Sequence, residues 1–362
     1  MMARLGDICT VVSGSTPKSV VQEYWDGDVK WITPAELDDD SYIISDSVRH
    51  ITTLGVTKTG LKPFPAGTVI LSSRAPIGKT AIAGCEMYCN QGFKNLICSN
   101  NIDSKYLYFF LSSKRDYLNS LGRGATFKEI SKTIVENIEI PLPEMAEQKA
   151  ISTRFENLMK LIQLRKTELE KLDQLVKSRF IELFGDPVSN PKDWNVEALG
   201  KRCRIITGNT PPRSEPDNYG EYIEWIKSDN INTPFTFITE AQERLSETGF
   251  EKCRFVEAGS ILMTCIAGSI NCIGNVAVTN RRVAFNQQIN AIVPEQDEVM
   301  YLYWLMQLSK PMIHHTINMA LKGILSKGQL AELTFPFPPL ELQEQFAAFV
   351  KQTDKSKYYS VA

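Results

Sequence analysis

Apolar positions along this chain follow three patterns. Short apolar runs bounded by Gly and Pro, such as "GTVILSS" (67–73) and "GSILMTCIAG" (259–268), read as strands. "SKYLYFFLSSKRDYLNSL" (104–121) has a Ser placed to cap it and apolar residues at helical spacing, and a counterpart helix begins near Met300. "IEIPLP" (138–143) is a strand closed by prolines, which donate no ladder hydrogen bond. The third pattern lies between Glu144 and Phe184, where there is neither Gly nor Pro. Apolar residues recur there with spacing 4-3-4-3 at Ile151, Phe155, Leu158 and Ile162, break at Arg165, and resume at Leu169, Leu172 and Val176. That is a heptad seam, predicting one long helix that packs against another. About forty residues at ~1.5 Å rise make it roughly 60 Å long. "FGDPVSNPKDW" (184–194) ends it with Gly185 and Pro187.

The chain is also written twice. Laying residue n on n+194 aligns Gly14 with Gly208, Thr16 with Thr210, Pro17 with Pro211 and Trp31 with Trp225. With small shifts of register, "AGTVIL" (66–71) pairs with "AGSILM" (258–263), and "IGKTAI" (77–82) with "IGNVAV" (273–278). "CNQGF" (89–93) pairs with "FNQQI" (285–289), and "YLYFFL" (106–111) with "YLYWLM" (301–306). "IPLPEMAEQ" (140–148) pairs with "FPFPPLELQEQ" (335–345). The order is preserved and the period is too long for a solenoid, so this is a duplicated domain. The expected architecture is α+β. Two homologous α/β domains, each a twisted, mostly antiparallel sheet with helices, occupy 1–143 and 186–341. A coiled-coil-type helix over 144–185 separates them, and a short distal helix over 342–362 follows.

Composition narrows the function. The apolar fraction of 43% and charged fraction of 23% are those of an ordinary globular chain. No apolar run reaches the ~18–20 residues that span a bilayer, and "MMARLGDICTVV" enters a strand without a signal-peptide layout. A cytoplasmic protein is expected. The net charge is −2, with 15 basic against 15 acidic residues in 1–143 and 14 against 18 in 186–341. Such a balance argues against purely electrostatic nucleic-acid binding by this chain alone, though not against a basic face. The eight cysteines form no C-x-x-C pair and there are three histidines, so neither a zinc site nor a nucleophile–histidine arrangement is expected.

Two motifs imitate chemistry. "SSRAPIGKT" (72–80) ends like a P-loop, but Ser73 stands where the first glycine is required, and the second copy's "IGNV" lacks both Lys and hydroxyl. A glycine turn between strands explains both copies. The acidic run Asp38–Asp40 reads as a solvated turn. What remains is polar and basic residues on the loops of a repeated scaffold, the types that hold phosphates and read base edges. In the first copy they are Lys18, Arg74, Lys79, Lys94, Arg123, Thr126 and Lys128. In the second they are Arg213, Lys227, Arg281, Arg282, Asn286, Gln287, Gln288, Lys322 and Lys327. Strand residues match between the copies while loop residues differ, which is the pattern of two related sites with different specificities.

The order of "LGDICTVVSGSTPK…YWDGDVKWI", "AGTVILSSRAPIGKTAI", "IPLPEMAEQKAI", the heptad helix and a second round resembles the specificity subunit of type I restriction–modification systems. The resemblance implies two target-recognition domains, each reading one half of a split site in double-stranded DNA, with the helix setting the unread spacer. It implies no active site in this chain and no cofactor of its own. Two methyltransferase subunits using S-adenosylmethionine, and a motor-nuclease subunit using ATP and magnesium, would carry catalysis. It also implies a second long helix antiparallel to the first. Only 17 residues follow Gln345, so the expected distal helix has about two turns, as in a truncated subunit, and leaves part of the seam exposed. Two alternatives remain at this point: a truncated adaptor that assembles a methyltransferase complex without recognising DNA, and a P-loop enzyme.

Overall fold

The computed structural model describes residues 1–124, 128–317 and 323–361, with side chains as far as Asp354. The chain divides into two compact units, Met1–Gln163 and Leu164–Ala362. The long helix, Met145–Phe184, crosses that division. It stops where Gly185, at φ +81°, takes up the left-handed conformation and donates its N–H back to the Ile181 carbonyl at 2.8 Å.

In the first unit a five-stranded sheet runs in the order 9–12, 95–98, 69–71, 80–83, 43–44. A three-stranded sheet has the order 50–51, 25–32, 88–89, and the pair 2–4 with 139–141 closes the domain. The second unit repeats this with 203–207, 289–294, 261–264, 276–278, then 244–245, 219–226, 283–285, 255–256, and the pair 196–198 with 334–336. Pairing is mostly antiparallel, yet both copies insert the same parallel step: Trp31↔Tyr88 and Ile32↔Cys89 in one, Trp225↔Ala284 and Ile226↔Phe285 in the other. Both also break register within the first strand of that sheet, between Trp25 and Val29 and between Tyr219 and Ile223. The α+β class and the duplication are therefore present in detail that no local pattern encodes.

The structure corrects one alignment. Gln148 is buried, donates to the carbonyls of Asn101 (3.0 Å) and Pro143 (2.9 Å), and accepts from the Asp103 N–H at 2.9 Å. Its counterpart is Gln343, not Gln345. Gln343 is fully buried, donates to Asp297 (2.8 Å) and the Pro338 carbonyl (2.9 Å), and accepts from the Glu298 N–H (2.9 Å). Each glutamine ties the start of its helix to the start of the domain's main helix. Gln343→Leu leaves the buried Pro338 carbonyl and the Glu298 N–H unpaired, while Asp297 keeps Arg202, and is expected to cost the second domain about 2 kcal/mol. Gln345→Leu, at an exposed position, is expected to change stability by less than ~0.5 kcal/mol. Urea unfolding of the two variants checks the register.

The seam residues serve different surroundings. Ile151 packs half-buried on the first unit's core, and Phe155 stacks on Phe109 at 5.0 Å. Next to it Glu156 accepts from the Tyr42 hydroxyl (2.8 Å) and the Lys105 ammonium (2.7 Å). Val176 is completely buried in the second unit's core with Phe180 and Phe184. Tyr301 stacks on Phe180 at 5.5 Å and meets Phe184 edge-on at 4.9 Å. Leu158 and Ile162 are half exposed, as are Leu161 and Leu175, while Leu169 and Leu172 are half-buried. The stripe is thus two domain-packing ends joined by an exposed apolar stretch. The distal helix extends over Leu340–Val361, well beyond the two turns expected. Phe346 touches Phe180 (5.4 Å) and Phe184 (5.6 Å), while Phe349 lies 5.9 Å from the Arg179 guanidinium. The two segments run antiparallel.

Candidate nucleic-acid interface

In each copy the loops at one end of the sheets converge. Thr16 of the Thr-Pro turn donates to Gln91 at 2.5 Å, and Thr210 donates to Gln287. Trp31 Nε1 donates to the Ser15 carbonyl (3.0 Å), and Trp225 Nε1 to the Asn209 carbonyl (3.3 Å). From the Asn-Gln turn the network passes to the hairpin loop: Ser73 N–H donates to the Gly92 carbonyl at 2.8 Å, and Cys265 N–H to the Gln288 carbonyl at 2.8 Å. From there it reaches the segment before the last short helix, through Ile130 N–H to the Ser73 carbonyl (2.9 Å) and Leu325 N–H to the Cys265 carbonyl (2.9 Å). Four loops far apart in sequence thus form one platform per copy, and most sequence-selected side chains stand on or beside it. Loops placed on a rigid scaffold are where recognition residues normally sit.

The chemistry of the two platforms differs. In the first, Glu129 accepts from Arg74 (2.9 Å) and Lys94 (3.1 Å), and Lys94 is buried. Burial alone would raise the Glu129 carboxyl, but the hydrogen bonds from Lys94 and Arg74 outweigh it and hold the group below its usual range. Arg123 is exposed and its backbone pairs with Glu129 (3.0 and 2.9 Å). Lys79 donates to the Leu37 carbonyl at 2.5 Å. With Arg115, Asp39 and the exposed Lys128 it lines a cleft of about 520 Å³. Lys18 is exposed at the end of the Thr-Pro turn.

The second platform is built from amides. Asn286, buried, donates to Gln288 Oε1 at 3.2 Å and accepts from the Gln288 N–H at 3.0 Å. Gln287 is exposed. Asn232, which the sequence reading missed, accepts from Asn275 at 2.8 Å. Asn275 also accepts from Lys310, whose ammonium burial pushes below its ordinary range. Asn232 lies in no repeated motif, whereas Asn275 stands in the repeated "IGNVAV" at the place Lys79 holds in "IGKTAI", so a sequence signal for it was present.

Several candidate cations are occupied within the chain. Arg281 holds the buried Glu224 through two bonds, one of 2.8 Å, and chiefly for that reason the Glu224 carboxyl sits below its ordinary range. Arg282 pairs with Glu257 at 2.7 Å. Arg213 and Lys227 share Glu243 at 2.8 and 2.9 Å. Lys327 is exposed at the start of the short helix Lys327–Glu332. Thr126 and Lys322 lie outside the described residues.

The P-loop likeness dissolves in this geometry. The 72–79 segment joins two strands and leads into no helix, whereas phosphate capture by a P-loop relies on the N-terminus of the helix that follows. Ser72 Oγ donates to the Pro76 carbonyl (2.7 Å) and accepts from the Lys79 N–H (2.9 Å), so the loop closes on itself.

The chain is thus two copies of one sheet-rich scaffold, each offering a loop platform of different polar chemistry. A family model described as "Type I restriction modification DNA specificity domain" matches residues 1–174 and 191–358, and the chain belongs to that family. It is 32% identical over 347 residues to the putative type I restriction enzyme MjaX specificity subunit of Methanocaldococcus jannaschii, covering 86% of this chain and 78% of the relative. With the MjaIX specificity subunit of the same organism it shares 36% over 230 residues, covering 59% of this chain and 53% of the relative. The match to the HindI specificity subunit of Haemophilus influenzae is 27% identical and covers 43% of that protein. The chain thus spans about half the length of these last two relatives. The fold is similar to the crystal structure of a type I system S subunit from M. genitalium, at TM-score 0.60 and 14% identity over 99% of this chain and 90% of that one. A chain from a structural study of type I system assembly and conformational transition gives TM-score 0.55 at 20% identity, covering 99% and 91%. Among the described residues no helix is long and apolar enough to cross a membrane.

Proposed function

We propose that the chain is the DNA-specificity subunit of a type I restriction–modification enzyme, each platform reading one half of a gapped duplex site. The observation that carries this is the pairing of a shared scaffold with unlike platforms. The same Thr–Gln and Trp–turn contacts recur, while the first copy exposes Lys18, Arg123 and Lys128 and the second exposes Gln287 beside Asn286 and Gln288. Arg and Lys suit guanine O6/N7 or phosphate; Asn and Gln suit adenine N6/N7. Cations that already hold carboxylates, such as Arg281, serve the scaffold.

Catalysis belongs to partners in this reading. Two methyltransferase subunits with S-adenosylmethionine would modify adenine, and a motor-nuclease subunit with ATP and magnesium would cut, all in the cytoplasm. The exposed apolar stretch around Leu158 and Ile162 is available to such partners. Both copies keep the same converging loops, which an adaptor without DNA recognition would not need.

The test is to co-express this chain with the methyltransferase subunit of its own system and sequence the modified adenines. A two-part motif with a fixed unread gap, absent when this chain is omitted, is the expected result. Methylation that is gapless, or independent of this chain, overturns the proposal.

A further inference from the structure

Beside each Thr-Pro turn lies an aromatic pair that braces it. In the first copy Trp25 Nε1 donates to the Lys18 carbonyl (3.3 Å), and Trp31, edge-on to Trp25 at 5.2 Å, reaches the Ser15 carbonyl. In the second, the Tyr219 hydroxyl donates to the Pro211 carbonyl (3.0 Å), and Trp225 reaches the Asn209 carbonyl. A cation covers each pair. The Arg49 guanidinium lies 3.8 Å from the Trp25 ring centre, and Arg213 lies 4.8 Å from that of Tyr219.

The backbone shows that the same position carries opposite charges in the two copies. Trp31 N–H donates to the Arg49 carbonyl (3.3 Å), and Trp225 N–H donates to the Glu243 carbonyl (3.1 Å). Glu243 gathers Arg213 and Lys227, so the charge over the second aromatic pair is largely spent. Arg49 is exposed, and among the described residues no carboxylate lies within ion-pair distance of it. Sequence reading missed it because it stands in no repeated motif. We propose that Arg49 is a DNA-contacting, specificity-determining residue of the first recognition domain, a role that rests on the reading of this chain as a specificity subunit.

The physical case is one of pre-organisation. Stacking engages the face of the guanidinium and leaves its in-plane N–H donors for a ligand. A donor fork held this way loses little freedom when it meets a planar pair of acceptors. On duplex DNA that pair is either two phosphate oxygens or guanine O6 and N7. In the second copy the equivalent slot holds a carboxylate with two cations, so the slot differs between the half-sites.

The experiment uses the assembled complex of this chain and its methyltransferase subunit, with the gapped duplex found by adenine sequencing as probe. Parallel duplexes have one or the other half-site scrambled. Arg49→Ala is expected to weaken binding to the intact duplex about tenfold. Scrambling the first-domain half-site should then cost Arg49→Ala correspondingly less than it costs the wild type. Arg49→Lys, which keeps the charge but loses the fork, is expected to lose at least about threefold. Relaxed preference at a single base pair marks a guanine contact and supports the role, whereas a salt slope reduced by about one with base preference unchanged marks a phosphate contact and overturns the specificity-determining part of the inference. Thermal unfolding of both variants confirms that the exposed position is not needed for folding. If Arg49→Ala and Arg49→Lys bind within twofold of wild type, or if the loss falls on the other half-site, the inference is wrong while the parent reading stands. A wild-type complex that prefers neither duplex ends both.

Discussion

Gly14→Ala is expected to destabilise the first domain by about 3 kcal/mol, well beyond the usual cost of adding one methyl group. Gly14 does not need a left-handed conformation; it needs emptiness. A Cβ there would sit 1.8 Å from the Cys89 carbonyl oxygen and 2.4 Å from its carbon, both backbone atoms of the strand that leads into the Asn-Gln turn. That oxygen already accepts from the Ser15 N–H at 3.0 Å. The turn would have to withdraw, stretching this bond and drawing Thr16 away from Gln91. Gly208→Ala should act alike in the second domain, where the Cβ would meet the Asn286 and Phe285 carbonyl oxygens at 2.2 and 2.4 Å. The control is Gly60, at φ +64° with nothing within 4 Å of an added Cβ. Gly60→Ala meets only backbone strain, about 1 kcal/mol. Urea unfolding of the three variants measures the contrast, and equal costs at Gly14 and Gly60 would refute the close-approach account.

Periodicity and repetition made much of the fold legible. "AGTVIL" and "AGSILM" both became central strands, and the Gly-free, Pro-free segment became the long helix. The Thr-Pro turns and Asn-Gln turns were recognised as repeated, but their hydrogen bonding to each other across some 75 residues was not. Local pattern records which residues are apolar, not which distant polar groups satisfy one another. For that reason sequence alone pairs Gln148 with Gln345 where the structure has Gln343: both are glutamines on one helix, and only burial tells them apart. The candidate interface was readable as residue types alone. Arg74, Lys94, Arg213, Lys227 and Arg281 have the chemistry to meet DNA, yet each lies beside a carboxylate that no spacing rule connects to it. Arg49 escaped because its distinguishing property is the absence of such a partner beside a tryptophan far off in sequence.

Exchanging residues 164–362 for the corresponding segment of another family member is expected to replace one half-site and leave the other unchanged. Exchanging only 186–341 is expected to give a poorly folded protein, although that segment contains the whole second sheet. The reason lies in Tyr301. Its ring is held by Phe180 and Phe184 of the long helix, and both touch Phe346 of the distal helix. Val176 and Val350 are buried in the same cluster. A graft from 186 to 341 would carry a foreign counterpart of Tyr301 into this aromatic cage, and cores tolerate such changes only when volume and shape are conserved. Truncating one such fully buried phenylalanine to alanine costs on the order of 3–5 kcal/mol, a large part of a domain's net stability, which sets the scale for a cage that no longer fits its occupant. A cut at Gln163/Leu164 instead falls in the exposed middle of the long helix, where Leu161 and Leu164 have half or more of their surface in solvent. Helical register is easy to preserve there, so each recognition unit keeps its own core. Adenine sequencing of the two exchanges decides the matter: the longer graft should yield a new second half-site at full occupancy, the shorter one little or no modification. Equal performance of the two would mean that the aromatic cage contributes far less than its burial implies.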